Sequence, residues 1–183
     1  MGTKPYPLHP DDAVELKTLR DRLVQLRLGM GLTPPQVSVQ AGRNADFVGR
    51  LERYTGVRTA PLFSSVQLWA SGLNARVELE LDDFWLYSHS DPEFLLLFRQ
   101  SRPFAARHSQ RLLLVAMLRR WRMCNRLDLS VVAPLMAPMS TTSLSDWESE
   151  SQDPLLGRAM FYARVLGTRL RLRVFTRQQW RFD

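Results

Sequence analysis

Apolar residues return along this chain at two different periods, and the periods divide it into elements. Leu16, Leu19, Leu23 and Leu26 recur at steps of three and four, which makes one apolar face of a helix running to about Leu28. Asp11 or Asp12 can cap its start, after a lead-in whose Pro5, Pro7 and Pro10 resist helix. Gly29-Met30-Gly31 ends it. Two short helices should follow. Thr33 is a good N-cap, Pro34 suits the first helical position, Val37 and Ala41 face inward, and Gly42 stops the helix. Asn44 can cap the next one, whose Phe47, Val48 and Leu51 turn inward. Pro61 opens a fourth helix, with Leu62, Val66, Leu68, Trp69 and Leu73 as packing residues. Arg76-Val77-Glu78-Leu79-Glu80-Leu81 then alternates with period two, which predicts a strand.

The same order then returns. Residues 82–103 read as a linker with a short helix around Phe94, Leu95, Leu97 and Phe98, ended by Arg102-Pro103. Leu112, Val115, Leu118 and Trp121 mark a new first helix ending near Asn125. Asp128 matches Thr33 as a cap, Leu129 to Met136 forms the supporting helix, and Ala137-Pro138 the turn. Ser140 to Glu148 falls where the exposed helix should be, with Leu144 and Trp147 turned inward and Trp147-Glu148 echoing Leu51-Glu52. The spacing from Pro61 to Leu73 equals that from Pro154 to Leu166, and Arg169 to Val174 matches Arg76 to Leu81 position for position. A period of ~90 residues signals a duplicated domain rather than a solenoid. The predicted fold is mainly α: tandem helix-turn-helix domains of four to five short helices each, with a short β-strand after each. The boundaries are 1–81 for the N-terminal domain, 82–103 for the linker and 104–183 for the C-terminal domain.

Charge sharpens this picture. The first strand carries Glu78 and Glu80, the second Arg171 and Arg173. Self-pairing of either strand between copies would oppose like charges, whereas pairing within one chain matches opposite ones, at ~0.2–1 kcal/mol per pair. One polypeptide would then stand in for a homodimer; the alternative is two unrelated strands whose charges face water. Residues 1–90 hold equal numbers of acidic and basic side chains, so the whole net charge of +7 sits in the second half. All but two of the basic residues, Lys4 and Lys17, are arginine, which brings bidentate reach to guanine and phosphate. No apolar run approaches the ~20 residues of a membrane span, and the N-terminus has no secretory h-region. The single Cys124 excludes an internal disulfide framework, fits a reducing cytoplasm and reads as a small buried residue.

A short exposed helix bearing arginine and amide groups, braced by its predecessor, is what the major groove admits. Arg43, Asn44, Asp46, Arg50 and Arg53 are the candidates for DNA contact on the first such helix: Arg suits guanine, Asn adenine, and Asp accepts from cytosine. Thr33, Gln36 and Gln40 are candidates for phosphate, and Glu52 for a structural role. In the second half, Ser140, Thr141, Thr142 and Ser143 make a hydroxyl-rich reader that should discriminate less sharply. Arg119, Arg120, Arg122 and Arg126 are its phosphate anchors, with Arg177 and Arg181 as further cations. The alternatives are a solvated polar face and an ordinary Ser/Thr capping loop. Enzyme readings fail on inventory. His9, His89 and His108 are scattered, no metal site or cofactor is implied, and there is no phosphate-binding glycine loop or nucleophile elbow.

Leu32 to Glu52 resembles the Cro-type helix-turn-helix family of phage repressors, down to the Leu51-Glu52 pair. Over nearly its full length, the chain resembles the immunity repressors of cluster A mycobacteriophages, departing from the usual motif at Pro134 and Pro138. That resemblance implies a cytoplasmic, nucleoid-associated, monomeric transcriptional repressor in a bacterial host. It would bind double-stranded DNA at an operator and at short asymmetric stoperator sites, sustaining lysogeny and superinfection immunity. Two other readings stay open: a dimeric antitoxin-type or host autoregulator, and a protein-interaction adaptor with a basic C-terminal half.

Overall fold

The computed structural model describes residues 8–54, 60–82, 107–136, 139–149 and 155–176, with the backbone alone for 107–113. The 82–103 linker beyond Asp82, Ala137-Pro138, and Arg177 and Arg181 lie outside the described residues, as do the side chains of His108 and Leu112. Two units of like order are seen. The first comprises α1 (Pro10–Gly29), α2 (Pro34–Gln40), α3 (Asp46–Glu52), α4 (Phe63–Gly72) and β1 (Ala75–Leu81). The second comprises α5 (Arg107–Cys124), α6 (Leu129–Leu135), α7 (Thr141–Glu148), α8 (Leu156–Val165) and β2 (Leu170–Thr176). The chain is therefore mainly helical, with a short strand closing each unit. None of the described helices is long and apolar enough to cross a membrane.

The strands do pair within the chain. β1 runs antiparallel to β2 from Ala75 opposite Thr176 to Leu81 opposite Leu170, with Leu79 facing Leu172 at the centre. Glu78 stands opposite Arg173 and Glu80 opposite Arg171, the charge match expected from the sequence. The ion pairs themselves are staggered. Arg173 Nε stands 2.7 Å from a Glu80 oxygen, while Arg171 reaches on to Asp82 at 2.5 Å and Glu78 takes Arg76 at 2.5 Å. A two-stranded ribbon is marginal alone, and this one is covered. Val77, Leu81, Leu170 and Val174 are buried, and Glu15 of α1 accepts the Leu172 amide at 2.8 Å. Leu16, Leu23, Phe63 and Trp69 of the first unit and Leu118, Trp147, Met160 and Tyr162 of the second belong to one continuous core. Trp69, Trp121 and Trp147 are inside, as expected.

Three local expectations change. α1 begins at Pro10, whose missing N–H is harmless in the first turn, and its cap is His9, whose Nδ1 accepts from the Asp11 amide at 3.3 Å. Asp12 is buried instead and binds the Arg164 guanidinium of α8 at 2.8 Å, tying the first helix of one unit to the last helix of the other. Cys124, expected inside, is exposed at the end of α5.

Candidate nucleic-acid interface

α2 starts from a full capping box: the Gln36 amide donates to Thr33 Oγ1 at 3.5 Å, and the Thr33 amide donates back to Gln36 Oε1 at 2.7 Å. Gly42 turns the chain with φ +68°, a conformation that glycine adopts without strain. Val37 and Ala41 are buried below the turn, and Val48 is buried under α3. Asn44 was expected to cap α3, but Ala45 holds the cap position and offers no side-chain bond. The cap comes from α2. Ser38, fully buried, accepts the Val48 amide on its Oγ at 2.9 Å and donates to Pro34 O at 2.8 Å. One hydroxyl thus satisfies the first turn of α3 and pins it to its supporting helix.

A second device fixes both helices to α1. Arg27 Nε and Nη2 bond the two Glu52 oxygens at 2.6 and 3.1 Å, while Nη1 donates to Leu32 O at 2.8 Å. One guanidinium therefore joins the end of α1, the entry to α2 and the end of α3, in the bidentate geometry that arginine favours. The second unit repeats it. Arg122 holds Glu148 at 2.8 Å through Nε and again through Nη2, and Leu127 O at 2.6 Å through Nη1. There the Tyr162 hydroxyl also donates to Glu148. Burial first, and then the bond to Glu148, push the phenol well above its ordinary range; the guanidinium's own hydrogen bond to Glu148 raises Arg122.

This clamp corrects one expectation. Arg122 was a phosphate anchor by sequence, but its side chain is only 11% exposed and committed inside the unit. Glu52 is structural, as expected. The arginines of the clamp were missed, although the signal was present: Arg27 and Arg122 stand at the same distance before Leu32 and Leu127, and both motifs end in Glu.

The remaining candidates do reach the surface. In the first unit Thr33, Gln36, Gln40, Arg43, Asn44, Asp46, Arg50 and Arg53 are all exposed. Arg43 lies over the Phe47 ring at 5.8 Å, which steadies the guanidinium beside α3. In the second unit Arg119, Arg120 and Arg126 are exposed, as are Ser140, Thr141, Thr142 and Ser143. Ser140 accepts the Ser143 amide at 3.1 Å and shares a hydrogen bond with the Ser143 hydroxyl at 2.9 Å. Two of the four hydroxyls are thus used at the cap of α7, leaving those of Thr141 and Thr142 outward with the exposed Ser145 and Asp146. Among the described residues no three His, Cys, Asp or Glu side chains gather as a metal site. No protein-family model, curated protein or solved structure matches this chain.

Proposed function

We propose that this chain is a sequence-specific, double-stranded DNA-binding repressor that carries two unlike readers in one polypeptide and acts as a monomer. The observation that carries the reading is the repeated clamp, Arg27–Glu52–Leu32 and Arg122–Glu148–Leu127. Each clamp holds a short polar helix, exposed on one face, rigidly on its support. Rigid mounting is what base readout needs, since base-edge hydrogen bonds tolerate little displacement. The intrachain ribbon supplies the contact that a dimeric regulator makes between copies. Arg43, Arg50 and Arg53 on one unit and Arg119, Arg120 and Arg126 on the other provide cations for phosphate. The resemblance to immunity repressors of cluster A mycobacteriophages supplies the biological setting: repression of lytic genes from operator and stoperator sites, in the cytoplasm of a lysogen.

The test is selection from a random duplex library, with the mass of the complex measured in solution. One asymmetric site with one chain bound is expected, and log affinity should fall with log salt by about 0.9 per phosphate neutralised. Two chains on a palindrome would replace this reading with an ordinary dimeric regulator. No enriched sequence would leave the adaptor reading, with the basic half docking an acidic protein.

A further inference from the structure

We propose that the two readers meet DNA with opposite polarity, related by a two-fold axis through the ribbon, so that their unlike half-sites run head to head along the duplex. This rests on the DNA reading above and adds the geometry that the reading leaves open. Leu79 and Leu172 occupy the same place in the two units, and they face each other in the ribbon. In an antiparallel pair, a residue facing its own counterpart marks a local two-fold axis, because every neighbouring pair is then exchanged across it. Glu78 opposite Arg173 is answered by Arg171 opposite Glu80, and Val77 opposite Val174 by Leu170 opposite Leu81.

A second point lies on the same axis. Leu62 and Leu155 precede the last helix of each unit and are again counterparts, and they form an isolated antiparallel bridge. A translation of one unit onto the other, which direct repeats on DNA would require, never sets a residue against its own counterpart. Here two separate contacts do so. The clamps carry the symmetry outward, since α3 is locked to the first unit and α7 to the second by the same bonds. Readers related by a two-fold approach a duplex whose own local two-fold is the natural match. What the readers present breaks the axis. Asn44, Ala45, Asp46 and Arg50 in α3 and its entry face the bases where Ser140, Thr141, Thr142 and Asp146 stand in the second unit.

Unlike half-sites conceal their polarity, so the experiment makes them alike. The full-length chain with Ser140→Asn, Thr141→Ala, Thr142→Asp and Asp146→Arg carries the first reader's Asn44, Ala45, Asp46 and Arg50 side chains at the matching positions of the second unit. All four positions are exposed, and Asn keeps the cap. Random-duplex selection with this variant should return two like half-sites as an inverted repeat, still with one chain bound. That repeat should bind at least tenfold tighter than the same halves arranged head to tail. Enrichment of a direct repeat overturns the proposal, and so does an unchanged second half-site, because α7 would then not lie in a groove as α3 does. If melting shows this variant unfolded, the reciprocal graft (Asn44→Ser, Ala45→Thr, Asp46→Thr, Arg50→Asp) makes the same test with the second half-site doubled. Failure of the wild-type chain to enrich any sequence is a separate result, and it removes the DNA reading itself.

Discussion

The two units share a frame and differ in how they hold and dress it. In the first, α3 depends on α2 for its cap: Ser38 reaches across to the Val48 amide. In the second, the place of Ser38 is taken by the buried Ala133, and α7 caps itself through Ser140. Among the described residues the clamp carboxylate Glu52 has Arg27 alone, whereas Glu148 is more deeply buried and has both Arg122 and Tyr162. The surfaces diverge as well. Gln36 and Gln40 on α2 are matched on α6 by Val131 and Leu135, both more than half exposed. Arg43, Arg50 and Arg53, on and beside α3, have no match around α7; the second unit carries exposed arginines at the end of α5 and in the loop after it, at Arg119, Arg120 and Arg126. Duplication preserves what positions a helix and releases what that helix displays. On the proposed DNA reading, the first unit would discriminate among bases and the second would add contacts around a less selective helix.

The largest effect should separate the two clamps. Removing one partner from a buried ion pair strands the other charge, at about 3–5 kcal/mol. Glu148→Gln should approach that figure in urea unfolding, because it leaves the Arg122 guanidinium and the Tyr162 hydroxyl facing a neutral amide. Glu52→Gln should cost less, as that carboxylate is 16% exposed and serves one partner. Equal losses would show that the tyrosine adds packing alone. The pH dependence has a definite sign. A tyrosine whose folded pKa lies above its ordinary value near 10 contributes stability in full below pH 10 and loses it as the pH rises further. The wild type should therefore weaken above pH 10 more steeply than Tyr162→Phe. A residual slope should remain from Tyr54, which burial raises in the same direction.

Next in size is the seating of α2 and α3. A Cβ on Gly72 of α4 would stand 2.7 Å from Val37 O and 3.1 Å from Val37 Cγ1, so Gly72→Ala should cost about 1–3 kcal/mol by overpacking. Its counterpart in α8 is Val165, half-buried, so that unit already accommodates a side chain there, and Val165→Gly should relieve no such contact. Ser38→Ala leaves the buried Val48 amide without a partner and should cost about 1–3 kcal/mol. It should also speed hydrogen exchange at Val48 and Gly49 more than elsewhere in the unit. Ala133→Ser, placing the same hydroxyl in the second unit, should gain nothing, because Ser140 already caps α7. Uniform exchange in the Ser38 variant would show that the bond follows the helix packing rather than setting it.

Much of this was legible in the sequence because it depends on local spacing. The apolar steps of α1, the Thr33 cap, the Gly42 turn and the alternation of Arg76 to Leu81 each signal their element within a few residues. The intrachain ribbon was legible from charge, since only pairing within the chain sets Glu78 and Glu80 against arginine. What was missed is long-range. The destinations of Arg27, Arg122 and Asp12 depend on partners far along the chain, and Ser38 in a helix reads as an indifferent polar residue until the fold sets Val48 over it. Cys124 was misread because sulfur content suggests burial, while its place on the last turn of α5 decides exposure.

The smallest effect tests whether the ribbon joins the two units through charge or through shape. Each opposed pair should contribute about 0.2–1 kcal/mol, less where the arginine is as exposed as Arg173, at 60% of its side chain. Arg171→Glu with Arg173→Glu sets four carboxylates, with Asp82 a fifth, along one short ribbon, and should lower stability by about 1–2 kcal/mol, more at low salt. Adding Glu78→Arg and Glu80→Arg restores opposite signs across the ribbon and should recover most of the loss. It should not recover all of it, because Arg171 also reaches Asp82, a partner that the swap leaves facing a carboxylate. A double reversal without cost would mean that Val77, Leu81, Leu170 and Val174 hold the strands together unaided. The charges would then serve only to prevent pairing between copies.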